Sequence, residues 1–151
     1  MKTQTANLVM GYWQYAALDH LHERSRNWLS EIAFWKEEIL FMKHLITNHF
    51  TFFIDPKRIS RTTTLTNQLH VIENDLQTLE ENVREHEHHL KEVMQTNSDK
   101  LEKEYRKEHG SLENLLDNFV NDFKAGKRAV FKTAEEVLKE ERMQRFIAEA
   151  G

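Results

Sequence analysis

The amino-acid sequence predicts an all-α fold, an elongated antiparallel helical bundle with coiled-coil-like packing, built from three long helices and a shorter C-terminal helix. Two observations carry this. Apolar residues recur alternately three and four apart over long stretches, the spacing that keeps one side of a helix against its neighbours. Four glycines and one proline in 151 residues leave almost nothing to punctuate strands and hairpins.

The first helix, about 17–53, follows Leu18, Leu21, Ser25, Trp28, Ile32, Trp35, Ile39, Met42, Ile46, His49 and Phe53. It stops at Asp55-Pro56, because proline steers the preceding residue away from helical backbone. The second, about 59–95, carries Leu65, Leu69, Ile72, Leu76, Leu79, Val83, His86, Leu90 and Val93. Its good helix formers give out at Thr96-Asn97-Ser98-Asp99, where Ser98 or Asp99 can cap a third helix and Glu102 completes a capping-box spacing from Asp99. The third, about 99–124, shows Leu101, Tyr105, Glu108, Leu112, Leu115, Phe119 and Asp122 on one stripe, with Leu116, Val120 and Phe123 widening it. Apolar spacing carries it through Gly110-Ser111, whereas Phe123-Lys124-Ala125-Gly126 reads as a stop. Thr133 and Glu136 then read as a capping box opening a last helix at about 134–148.

The length suits one domain, 1–151, with a real core. At roughly 35–37 residues and ~1.5 Å per residue, the first two helices would each be about 50–55 Å long, joined by a short link that makes them antiparallel.

Composition excludes several classes of function. With no cysteine there are no disulfides, thiolate nucleophiles or cysteine metal ligands, and a cytoplasmic setting is expected. The longest apolar runs are too short to span a bilayer, and the start, interrupted by Gln14 and rich in tyrosine and tryptophan, does not resemble an export signal. A net charge of −4 argues against nucleic-acid binding by phosphate neutralisation. No glycine-rich phosphate loop, nucleophile elbow or supported Ser-His-Asp order is present.

One position breaks the apolar rule. His86 is an ionisable imidazole inside an apolar seam, where the hydration it loses has to be replaced by a hydrogen bond, a charge or a metal. If the turns centre near Pro56 and Asn97, His86 comes level with about positions 26 and 108, beside Ser25 and Glu108, the polar exceptions of their own stripes. The expected arrangement is Glu108 accepting from His86 while Ser25 satisfies the other ring nitrogen, a layer that fixes register among similar heptads. A sharper alternative is a metal-binding, redox-capable bundle in which His86, Glu108, His22, His89, Glu104 and His109 hold a Zn, Fe, Cu or Mn ion. Spacing is unfavourable to the ferritin-like di-iron pattern, which needs Glu-x-x-His on two helices; here there is Glu85 to His88, with Asp19 to His22 as a weaker echo.

The leading functional expectation is a non-enzymatic bundle needing no cofactor and acting through protein contact, as a homodimer or adaptor. Long amphipathic helices outnumber the elements that could cover them. The aromatic start, Tyr12, Trp13 and Tyr15, is expected to fold back over the bundle end.

Overall fold

The computed structural model describes residues 13, 14 and 16–150. Among them are four helices and no strand: α1 (Leu18–Asn48), α2 (Phe50–Phe53), α3 (Ile59–Thr96) and α4 (Asp99–Ala150). The all-α expectation holds. The described chain forms two compact units. One holds the chain up to Phe34 with Leu76–Phe119, and the other holds Trp35–Asp75 with the chain from Val120 onward. No helix among the described residues is long and apolar enough to cross a membrane.

The seam read from the sequence of α3 is the buried one at every step, Leu65, Leu69, Ile72, Leu76, Leu79, Val83, His86, Leu90 and Val93. The α1 stripe is buried at Leu21, Ser25, Trp28, Ile32, Ile39 and Met42. It does not continue to Phe53 as one helix. The chain breaks at His49, whose carbonyl starts α2 by accepting from Phe52 N (3.0 Å) and Phe53 N (3.2 Å). Carbonyls freed at the end of α2 are taken by side chains: Arg58 Nε donates to Phe52 O (3.0 Å) and the buried Thr62 Oγ1 to Phe53 O (2.7 Å). Phe53 packs with Ala134 and Val137, so this corner is closed by apolar burial as well as by hydrogen bonds. Asp55 accepts from Lys57 N (3.1 Å) in an Asx turn and its carbonyl starts α3.

Between α3 and α4 the link is a two-residue turn. Asn97 takes a left-handed backbone (φ 51°) that asparagine tolerates, and its amide donates back to Val93 O (3.1 Å). Ser98, rather than Asp99, is the N-cap: its Oγ accepts from Leu101 N (3.3 Å).

The separate C-terminal helix expected from Thr133 does not form, because α4 is continuous over 52 residues. The stop expected at Gly126 is overridden by packing. A Cβ there would lie 2.7 Å from Ile72 Cδ1, so the glycine admits a neighbouring side chain inside the helix and does not end it. Lys127, expected near a helix terminus, reaches Glu38 (2.7 Å) and lies over the Phe123 ring (5.2 Å). Thr133 is buried and Glu136 pairs with Arg61 (2.5 Å), so neither caps anything.

Gly110 also stays helical, and for a related reason. A Cβ on it would stand 2.5 Å from two atoms of the Trp13 indole, which packs against the Leu21, Leu90, Val93 and Tyr105 cluster. Arg106 holds this segment by donating to the carbonyls of Trp13 (3.2 Å) and Ala16 (2.6 Å). Trp13 thus folds back as expected; Tyr12 and Tyr15 lie outside the described residues. Gly110→Ala gains about 1 kcal/mol of helix propensity but displaces a rigid ring, so a net loss of about 1–2 kcal/mol is expected, with red-shifted tryptophan fluorescence in the folded protein.

Candidate functional site

The polar layer belongs to the unit built from the first part of α1, the second part of α3 and the first part of α4. His86 is completely buried, and its Nδ1 lies 2.5 Å from Glu108 Oε1. Its Nε2 lies 3.0 Å from Nδ1 of His109, which is equally buried. The partner of Nε2 is therefore His109 and not Ser25, whose Oγ donates to the Leu21 carbonyl of its own helix (3.1 Å).

His109 corrects the α4 stripe. The inward row runs Tyr105, His109, Leu112, Leu116, Phe119 and Phe123, while Leu115 and Asp122 are exposed. Glu108 sits one residue off this row, with its side chain 36% exposed. That offset lets one carboxylate reach the buried His86 from the rim and also accept from the half-exposed His89 Nδ1 (3.0 Å). The 4-3 alternation through Tyr105, His109 and Leu112 was the sequence signal for His109 as the inward residue.

Aromatic rings close the layer. Tyr105 stacks on His86 with centroids 4.2 Å apart and planes 5° apart, and Trp28 stacks on His109 at 4.5 Å and 27°. Burial drives the His86 pKa below the ordinary imidazole value, although the Glu108 hydrogen bond and charge pull it upward. Burial also lowers the His109 pKa, to about 3, with His86, Arg24, His20 and Arg106 acting in the same direction. His89, at the rim, goes the other way, raised first by its hydrogen bond to Glu108. Burial pushes the Tyr105 phenol up, the Glu87 charge adds to the rise and the Ser25 hydroxyl opposes it. These directions assign the protons at neutral pH. Neutral His109 donates from Nδ1 to His86 Nε2, and His86 donates from Nδ1 to the Glu108 carboxylate.

Of the six residues put forward as metal ligands, His86, Glu108, His89 and His109 come together. His22 turns to Glu87, with Nδ1 2.5 Å from Oε2. Glu104 is exposed, on the wall of a cleft of about 170 Å³ that also touches His89, Tyr105 and Glu108. Among the described residues no three histidine, aspartate or glutamate side chains are grouped to hold a metal ion. Both ring nitrogens of His86 are already engaged within the protein.

No family model, curated protein or solved structure matches this chain, so its function is read from its own geometry.

The arrangement is a directed chain of two imidazoles ending on a carboxylate, sealed on both sides by rings. His86 and His109 do not line the cleft. Both are completely buried, and they hydrogen-bond one another between α3 and α4.

Proposed function

We propose that this chain is a non-enzymatic helical protein that works by contact with other protein chains, a second copy of itself foremost, in the cytoplasm. The observation that supports this reading is the end of α4. Met143, Phe146 and Ile147 fall three and four apart on one side of the helix and are 60%, 67% and 62% exposed. Single exposed apolar residues are ordinary on protein surfaces, but a row of three large ones at helical spacing is the pattern of an amphipathic segment that covers its face with a partner. The His/Glu layer serves the fold that presents this helix, its two buried imidazoles being hydrogen-bonded to one another and to Glu108.

Sedimentation of the full chain, alone and as the Phe146→Asp, Ile147→Asp double variant, tests the proposal. Association of the parent in the micromolar range, abolished in the variant with unchanged helical circular dichroism, is expected. A parent that stays strictly monomeric at high concentration overturns it.

A further inference from the structure

Resting on that reading, we propose that the acceptor for the α4 end is a groove between α3 and α4 on a second copy of this chain. The groove, about 550 Å³, is lined by Val71, Ile72 and Asp75 from α3 and by Asp122, Ala125 and Ala129 from α4. That is within the ~300–1,000 Å³ range of sites that accept several apolar groups. The small side chains at 125 and 129 leave a trough beside Val71, which is 59% exposed.

Charge identifies the occupant. Asp75 and Asp122, one on each wall, are exposed and make no hydrogen bond or ion pair among the described residues. On α4, Lys139, Arg142, Met143 and Phe146 follow one another at helical spacing. The row therefore offers two cations followed by apolar anchors. Arg142 has no ion pair among the described residues, and Lys139 reaches only Glu135, at 3.5 Å, with both side chains largely exposed. An acidic apolar trough and a basic apolar helix end are complementary, and both occur on every copy. Two copies related by a two-fold axis would each place a helix end in the other's groove, satisfying both sites at once.

Because the chain lacks cysteine, introduced thiols report the contact directly. Ala129→Cys protein is mixed with Ile147→Cys protein under mild oxidation. Formation of the mixed disulfide at the expense of either homodimer is expected. Association with Ile147→Cys joined mainly to itself means that the helix ends pair with each other; this overturns the groove while leaving self-association intact. Absence of any association removes both. A charge exchange gives a second readout. Asp75→Lys with Asp122→Lys, and separately Lys139→Glu with Arg142→Glu, should each weaken self-association by about tenfold or more, and mixing the two variants should restore it. Association indifferent to all four changes overturns the groove.

Discussion

Replacing His86 with phenylalanine should destabilise the protein by about 2–3 kcal/mol, and the His86→Phe, His109→Phe double variant should lose less than the two single losses added together. The ring of a phenylalanine at 86 still packs on Tyr105, so the change isolates the polar loss. It removes the His86 acceptor from the His109 Nδ1 donor, which is completely buried. His109→Phe alone strands the His86 Nε2 lone pair in the same way. The double variant removes both ends of that bond and leaves Glu108, which keeps His89 and part of its hydration. Chemical denaturation of the four proteins measures the coupling, expected at about 1–2 kcal/mol. Additive losses would mean that the two imidazoles are energetically independent.

Acid should weaken the fold before any carboxylate ion pair is lost. For a histidine with a depressed folded pKa, the unfolded chain binds the proton first, so its stabilisation is complete above the unfolded value and disappears as pH falls below it. With 6.5 unfolded and about 3 folded, His109 alone implies a loss of roughly 2 kcal/mol by pH 5 and about 3 by pH 4. His86 titrates with the same sign. The groups facing the pair are Arg24, His20 and His22 from α1, Glu87 and His89 from α3, and Tyr105, Arg106 and Glu108 from α4. His89 opposes the trend. Its raised pKa contributes stability below 6.5 that is lost as pH rises through the folded value, but it is partly exposed and weakly held. Glu136 and Glu140, lowered by Arg61 and by Lys57 with Arg58, contribute stability that is lost only as pH falls below the ordinary carboxylate value of 4.5. The window between pH 4.5 and 6.5 therefore belongs to the buried imidazoles. Urea midpoints across that window should fall with pH in the parent and flatten in the His86→Phe, His109→Phe variant; equal slopes would contradict the assignment.

Legibility followed the strength of the competing signals. The α3 seam was readable residue by residue because its one polar member, His86, kept the apolar spacing. Its pairing with Glu108 could be placed by counting across a short turn, since antiparallel neighbours drift little over ten residues from the link. On α4 the expected stripe keeps Tyr105, Leu112 and Phe119 but is one residue off at Glu108, Leu115 and Asp122, because these offer a second spacing beside the buried His109, Leu116 and Phe123. Gly126 misled for a different reason. A glycine followed by basic residues carries the local chemistry of a helix end, and the contact that cancels it, with Ile72, is separated by more than fifty residues of chain and is invisible to local pattern. Thr133 and Glu136 mislead in the same way, the first being buried against the rest of the fold and the second paired with the distant Arg61.

The sequence separations across the polar layer also bear on how the molecule comes together. Glu108 is 22 residues from His86 and His109 is 23, whereas the ion pair joining α1 to α4, Arg24 with Glu113, closes a loop of 89. Loop-closure entropy rises with the logarithm of chain length and contacts near in sequence form soonest, so the hairpin about Asn97 is favoured to meet its imidazoles first and to recruit Trp28 afterwards. A hairpin that forms ahead of α1 would leave His86 and His109 in water, and protons taken up there at low pH would have to be released before Trp28 could close over them.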